Sequence, residues 1–201
     1  MGNREDLLSG ARRVILERGV AKATARDIAS AAGVSLAAIG YHFGSKEELI
    51  TAALMESLGD GLGDGMEAIV HETAQLPLLN GFAELWNRMP EVFAANREPL
   101  SASLENSVRV LRDPEAGRHL AEAAGEGYRG IAELLRAARP ELSDAQVEAV
   151  AKLDFVLAQG LGILWLLAPD SIPSGDELAR AVAAIAGVEP PVGDSTVSPA
   201  G

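Results

Sequence analysis

The sequence predicts an all-α protein, and three observations point to this fold class. Alanine is abundant, runs of β-branched residues are rare, and aromatic residues make up only 4% of the chain, which together favour helices packed through small and aliphatic side chains. Of the 201 residues, 48% are hydrophobic, so the chain can bury a core and form one or two small domains. Apolar residues recur at helical spacing, and the capping signals described next predict about nine helices.

The N-terminal quarter of the chain predicts three short helices separated by tight turns. The first helix covers residues 4–18, with apolar residues three and four positions apart. The second helix is capped by Thr24 and ends at Gly33, and the third covers residues 35–43. This arrangement is typical of a helix-turn-helix, in which the third helix enters the DNA major groove and the second crosses the backbone.

A longer helix is predicted over residues 46–72, because Ser45 and Glu48 form a capping box at its start. Glycines at 59, 61, 63 and 65 interrupt it, and each costs about 1 kcal/mol of helix stability relative to alanine. We therefore expect a kink or a break at this point. Caps and prolines predict further helices over about 78–96, 99–112, 114–138, 143–168 and 175–187, and residues 188–201 form a predicted disordered tail.

The composition disfavours several classes of function. The chain has no cysteine, which excludes disulfides, thiolate nucleophiles and cysteine metal sites. His71 and His119 have no ligand-like neighbours, so we predict neither a metal site nor a cofactor. No nucleophile lies beside a base in any motif, so an enzyme is not predicted. Because the N-terminus is polar and no stretch of about 18 apolar residues lacks a charge or a proline, we expect a cytoplasmic protein.

The charge of the chain is distributed unevenly. The net charge is −12, although residues 1–50 carry +1 and the remaining residues carry −13. Duplex DNA repels acidic surfaces, so the acidic body, residues 51–187, is not expected to lie on DNA. The N-terminal helices are therefore the expected DNA-binding part, and the body is assigned to a separate helical domain.

The sequence around the second and third helices resembles the signature of the TetR family of bacterial transcriptional regulators. Residues 24–35 (TARDIASAAGVS) and residues 39–47 (IGYHFGSKE) carry the resemblance, which covers about residues 4–55. It implies phosphate contacts from Thr24, Tyr41, His42 and Lys46, and base-edge positions for Arg26, Leu36, Ala37 and Ala38. The predicted DNA-binding surface thus comprises Thr24, Arg26, Ser35, Leu36, Ala37, Ala38, Gly40, Tyr41, His42 and Lys46.

One residue departs from the pattern of the family. Many relatives carry an aromatic residue where this chain has Gly40, and glycine removes that contact. Among the candidate base-edge residues, Arg26 is the side chain that can form a bidentate pair with guanine, and Ala37 and Ala38 can contact a thymine methyl group. Base reading is therefore expected to depend on these three residues.

The predicted second domain contains a candidate ligand pocket. Trp86, Met89 and Phe93 share one helical stripe, and Pro90 can distort the helix beside them. Apolar spaces between helices are common binding sites for small ligands. We predict a largely apolar small-molecule ligand in a pocket lined by Trp86, Met89, Phe93, Tyr128 and Phe155.

Two amphipathic helices near the C-terminus predict a homodimer, because two such helices and their symmetry mates can form a four-helix interface. The alternative is that they only pack within one chain. The family resemblance favours the dimer, with predicted interface residues Val150, Asp154, Leu157, Leu161, Trp165, Leu178, Val182 and Ile185.

The functional hypothesis is a repressor that leaves a palindromic operator when a small molecule binds. In the TetR family the fourth helix joins the two domains, so the glycines at 59–65 are a candidate hinge. Two alternatives from other classes are a helical protein-interaction module and a small helical enzyme with an incidental N-terminal motif.

Overall fold

The computed structural model describes the backbone of residues 3–110 and 114–189, and the side chains of these residues except 109 and 114–123. Most of the predicted tail, residues 190–201, lies outside the described residues. The helices are α1 Asn3–Arg18, α2 Ala25–Ala32, α3 Ala37–Phe43, α4 Lys46–Leu58, α5 Asp64–Glu72, α6 Leu78–Ala95, α7 Arg97–Val110, α8 Pro114–Ala138, α9 Asp144–Leu167 and α10 Gly175–Ala186.

The prediction of an all-α fold is confirmed. A π-helical segment, Gly59–Gly63, joins α4 and α5 into one continuous run, so the described part of the chain contains nine separate helical rods. The predicted interruption of the long helix is therefore a local change of hydrogen-bonding pattern. Such π segments are uncommon and frequently occur at functional sites.

The helices pack around separate cores in the two parts of the chain. The first core is formed by α1, α2, α3 and α4 and includes the fully buried Leu7, Ile28 and Leu49. It ends at Leu54, which lies four residues beyond the predicted domain boundary. The second core lies among α5, α6, α7, α8 and α9 and is centred on Trp86, Met89, Phe93 and their apolar neighbours.

Close approach of α1 and α2 depends on a glycine. A Cβ atom added at Gly10 would lie 2.9 Å from the backbone nitrogen of Ala32 and 3.0 Å from the carbonyl oxygen of Ile28. Both obstacles are backbone atoms, which cannot rotate away. The absence of a side chain on α1 therefore sets how closely α2, and with it the helix-turn-helix, packs on the rest of the domain.

The four glycines around the π segment differ in their surroundings. A Cβ at Gly61 would overlap the side chain of Asn96, and one at Gly65 would lie 2.6 Å from Cγ1 of Val92. Both of these neighbours lie at the end of α6. A Cβ at Gly59 or Gly63 would meet no atom within 4 Å. Gly61 and Gly65 therefore allow close packing on the end of α6, whereas Gly59 and Gly63 affect only the conformational freedom of the backbone.

Candidate DNA-binding surface and ligand cavity

The turn between α2 and α3 has the geometry that the helix-turn-helix prediction requires. Gly33 adopts φ 69°, in the left-handed region that glycine occupies without strain. The Val34 amide donates to the Ala29 carbonyl at 3.1 Å and closes the turn. Ile39, 4% exposed, anchors α3 to the first core. The opposite face of α3 is thereby held towards solvent.

The outward face of α3 carries most of the side chains that the sequence assigned to DNA. Tyr41 is 86% exposed and Leu36 is 51% exposed. The Tyr41 and His42 rings meet edge to face, with their centroids 4.9 Å apart. Ser35, Ala37 and Gly40 are also exposed, whereas His42 is half-buried.

Ala38 is a correction to the predicted surface. Its side chain is only 8% exposed and belongs to the first core. A methyl group in that position packs against α3's own domain and cannot reach a thymine methyl group. Of the two alanines proposed for base contacts, only Ala37 lies on the outward face.

The start of α2 is held by a network around Asp27. The Thr24 hydroxyl accepts from the Asp27 amide at 3.1 Å and donates to Asp27 Oδ2 at 2.6 Å. Arg18 Nη1 lies 3.0 Å from Asp27 Oδ1. The Thr24 hydroxyl, together with the Arg18 charge, lowers the pKa of the Asp27 carboxyl. The network fixes the first turn of α2, from which the exposed Arg26 projects.

Lys46 lies at the joint between the N-terminal domain and the body. Its Nζ donates to the Ala23 carbonyl at 3.2 Å and lies 3.3 Å from Glu47 Oε1. It also lines a cavity of about 220 Å³ with Glu105 of α7. A phosphate contact from its side chain therefore requires the ammonium group to leave these partners. The backbone amides at the start of α4 are a second set of candidate donors to a phosphate.

Two hydrogen bonds from α7 reach the N-terminal domain, and no local pattern in the sequence predicts them. The Ala21 amide donates to Glu105 Oε1 at 3.1 Å, and Asn106 Nδ2 donates to Thr51 Oγ1 at 3.1 Å. Glu105 and Asn106 are ordinary polar residues in a helix, and only the packing of α7 against α4 gives them this role. They connect the body to the segment before α2 and to α4.

The five residues predicted to line a ligand pocket do not line the small cavity found in the body. Trp86, Met89 and Phe93 are at most 1% exposed and fill the second core. Tyr128 and Phe155 pack on each other, with ring centroids 4.4 Å apart. None of these five residues lines the small cavity of about 30 Å³ that the body contains, whose walls are Val70, Thr73, Leu78, Gly81, Phe82, Leu85, Leu135, Arg139, Val150 and Asp154.

Two polar groups beside this cavity are buried without a partner. Asp154 is 3% exposed, and its Oδ1 has no hydrogen-bond partner in the described part of the chain; the same is true of the Trp86 indole nitrogen. Burial raises the pKa of Asp154 to about 7. The neighbouring indole N–H opposes this rise without forming a hydrogen bond of ordinary length and angle.

Of the eight predicted interface residues, two are buried, five are half-buried and one is exposed. Asp154 and Leu161 are 3% and 8% exposed, so they are removed from the candidate interface. Trp165 packs near Phe93, at 6.2 Å between ring centroids, and the Arg97 guanidinium lies 5.3 Å from the Trp165 ring. Val150, Leu157, Leu178 and Val182 are half-buried, and Ile185 is 89% exposed. The apolar side chains that α9 exposes are instead Leu153, Val156, Ile163, Leu164 and Leu167.

The chain is similar to known transcriptional regulators over its N-terminal domain and over much of its length. The family profile described as "Bacterial regulatory proteins, tetR family" matches residues 7–53. The HTH-type transcriptional regulator TtgR of Pseudomonas putida is 32% identical over 182 residues, which span 84% of this chain and 82% of TtgR. The HTH-type transcriptional repressor AcnR of Corynebacterium efficiens is 34% identical over 115 residues, which span 57% of this chain and 54% of AcnR.

A solved structure agrees over nearly the whole fold. The multidrug binding protein EbrR, in complex with imidazole, superposes with a TM-score of 0.63 and 25% sequence identity, covering 97% of this chain and 98% of EbrR. The match extends beyond the helix-turn-helix to the helices of the body. The chain therefore belongs to the TetR family of bacterial regulatory proteins and is a DNA-binding transcriptional regulator.

Proposed function

We propose that the protein is a cytoplasmic homodimeric repressor that binds a palindromic operator through α3 and leaves it when a small molecule binds the body. The outward face of α3, with Tyr41 86% exposed, is the observation that carries the DNA-binding part of this proposal. The relative AcnR is named a transcriptional repressor, which supports repression as the regulatory effect of this protein. In a dimer, the two α3 helices would enter successive major grooves about 34 Å apart.

The side chains divide into two roles at the operator. Tyr41, His42, Thr24 and the start of α4 at Lys46 contact the sugar-phosphate backbone, which positions the protein without reading sequence. Arg26 reads base edges and is the candidate partner of a guanine. Leu36 and Ala37 supply apolar contacts, and Gly40 leaves room between α3 and the bases.

The first experiment is a mobility-shift assay on DNA that flanks the protein's own gene. We expect a specific shift that weakens with salt.

Tyr41→Ala should weaken binding about fivefold on every sequence, because a phosphate contact is lost. Arg26→Ala should lose at least about tenfold on the operator while leaving non-specific binding nearly unchanged. Leu16→Ala, at an exposed position of α1, is the control. Unchanged operator affinity in Tyr41→Ala and Lys46→Ala would refute the docking geometry.

The proposed dimer interface is the α9 stripe, defined here as Leu153, Val156, Ile163, Leu164 and Leu167, together with Ile185 of α10. By length and composition α9 could span a membrane, and only 22% of its most apolar window is buried within the chain. A second copy of the chain covers such a stripe in a DNA-binding protein, and a symmetric pair of these helices forms a four-helix contact.

A charge placed in the stripe tests the dimer. Val156→Arg should give a monomer by size-exclusion chromatography with light scattering, because an arginine would be buried without a partner. The control is Leu16→Arg, since Leu16 and Val156 are similarly exposed, at 55% and 59%. A dimer that persists in Val156→Arg but is lost in Leu16→Arg would place the interface elsewhere.

The link between ligand and operator is proposed to run through α7. The hydrogen bonds of Glu105 to the Ala21 amide and of Asn106 to Thr51 join the body to the N-terminal domain. EbrR is described as a multidrug binding protein and was solved with imidazole, which supports ligand binding by this chain. Glu105→Ala should reduce the ligand-induced loss of operator affinity several-fold, whereas Glu105→Gln, which keeps the acceptor oxygen, should not.

A further inference from the structure

The body contains a buried carboxyl group without a counter-charge. Asp154 projects from α9, is 3% exposed, and leaves Oδ1 without a partner among the described residues. A carboxylate in such surroundings is costly to ionise unless a cation or several donors meet it. An unsatisfied buried group of this kind within a ligand-binding fold calls for a functional explanation.

The one basic residue in the cavity wall does not supply the missing charge. Arg139 is 5% exposed, and its guanidinium donates to the carbonyls of Thr73, Ala74 and Leu76. It thereby closes the connection between α5 and α6, and its carboxylate neighbour is Glu141 at 4.0 Å. The arginine is therefore committed to the backbone of that connection and forms no ion pair with Asp154 among the described residues.

The rest of the cavity wall suits an apolar molecule with one polar end. Phe82, Leu85 and Leu135 surround the space beside Asp154, and Leu78, at 38% exposed, lies on the side nearest solvent. The present volume of about 30 Å³ is that of one water-sized group. An ammonium group fits this space, whereas the remainder of a ligand requires outward movement of the side chains near Leu78 and Val150.

We propose that Asp154 binds the protonated amine of the ligand, so that the regulator responds to amines with an aromatic or aliphatic body. This inference rests on the proposed ligand-responsive function. The ammonium donates to the Asp154 carboxylate, and the ring of Phe82, in the same cavity wall, offers a further contact to a cation. The unpaired Trp86 indole N–H can hold the second carboxylate oxygen.

Matched pairs of probes test the charge requirement. Benzylamine and 2-naphthylmethylamine are compared with benzyl alcohol and 2-naphthalenemethanol by isothermal titration calorimetry on the full chain at pH 8. We expect each amine that binds to have an affinity about tenfold or more higher than that of its matched alcohol, because a hydrogen bond to a charged partner is worth more than a neutral one. Asp154→Asn should abolish this preference. Glu148→Gln, an exposed charge change on the same helix, should retain it.

The outcomes separate this inference from the proposed function. Operator binding without probe should be the same in Asp154→Asn and the wild type, and failure of the wild type to bind its operator would count against the proposed function. The amine proposal is overturned if operator binding is intact but no amine binds more tightly than its alcohol. It is also overturned if Asp154→Asn still binds amines more tightly than alcohols. Tight binding of the alcohols alone would point to a neutral hydroxyl donor and would equally overturn it.

Discussion

The N-terminal domain and the body bury polar groups in different ways. In the first core the buried Thr51 hydroxyl is paired, since it donates to the Glu47 carbonyl and accepts from Asn106. In the body, by contrast, Asp154 Oδ1 and the Trp86 indole nitrogen have no partner in the described chain. A DNA-binding domain must keep one geometry to fit the operator, whereas a sensor can leave groups for a ligand to complete. The two unpaired atoms of the body are therefore the groups that the proposed ligand would complete.

The largest expected effect concerns Arg139, the one buried cation of the described body. Arg139→Met removes the donors to the carbonyls of Thr73, Ala74 and Leu76 and leaves these acceptors inside the protein. We expect the free energy of unfolding to fall by about 3 to 5 kcal/mol, measured by urea denaturation.

The control for Arg139 is an arginine in the same region of the chain. Arg136 of α8 pairs with Asp144 at 3.2 Å at an exposed position, and Arg136→Met should change stability by less than about 1 kcal/mol. A similar small effect in Arg139→Met would mean that the connection between α5 and α6 is held by packing alone, which would weaken the contrast between the two regions.

The second effect is a pH dependence of stability caused by Asp154. Because its pKa in the folded protein, about 7, lies above the ordinary value of 3.8, the folded state binds the proton more tightly than the unfolded state. The stabilisation that protonation of Asp154 gives the folded state is fully present below about pH 4 and is lost as the pH rises through 7. Between pH 5 and 8 the wild type should lose about 3 kcal/mol relative to Asp154→Asn.

Comparison with the variant isolates this group from the other titrations. The pKa of Glu177, lowered by its hydrogen bonds to Ser174, and that of Asp27 change stability in the opposite direction and are common to both proteins. Arg139 is the charged residue that shares the cavity wall with Asp154, and it is common to both proteins. Parallel pH profiles for the two proteins would show that Asp154 ionises normally.

The third effect concerns two glycines of the N-terminal domain. Gly10→Ala should destabilise the domain by about 1 to 3 kcal/mol, because the new methyl group meets backbone atoms of α2 at 2.9 and 3.0 Å. Gly40→Ala, with no atom within 4 Å of the new methyl group, should instead stabilise α3 by up to about 1 kcal/mol. Thermal denaturation of both variants measures the difference. Equal effects would show that the first core tolerates separation of α1 from α2.

Much of this fold follows from local signals in the sequence. The Ser45 cap begins α4 as expected, and Ser143 and Ser174 begin α9 and α10 in the same way, because capping depends on residues three positions apart. Gly33 and Gly44, with φ of 69° and 78°, end α2 and α3 for an equally local reason. The surface of α3 was mostly predictable too, since Ile39 had to face inwards.

What could not be predicted depends on contacts distant in sequence. The sequence of α9 has apolar residues on more than one face and does not say which face packs within the body, so Asp154 and Leu161 were assigned to the dimer although they are buried. The burial of Trp86, Met89 and Phe93 has the same kind of cause, because the second core in which they lie is formed by helices distant in sequence. Ala38 is small enough for either face, and its burial follows from the packing of α3 on the first core.

The smallest expected effect concerns the π segment, which joins the two regions. Gly59 and Gly63 face open space, so replacing both with alanine adds about 1 kcal/mol of helix propensity each without a clash. If this segment changes its backbone conformation when ligand binds, the double variant should be more stable and should release operator several-fold less readily, measured by a mobility shift with 2-naphthylmethylamine as the probe. Operator affinity without ligand should hardly change.

The contrast with Gly61 makes that experiment decisive. Gly61→Ala would overlap the Asn96 side chain, which would have to move, so it would alter the contact with the end of α6 whether or not a hinge exists. The pair of Arg12 with Asp60, at 3.3 Å, already ties α1 to the π segment, so motion there would be felt directly by the N-terminal domain. Unchanged release in the double variant of Gly59 and Gly63 would show that these two glycines do not act as a hinge, and an altered body in Gly61→Ala would show that Gly61 serves packing.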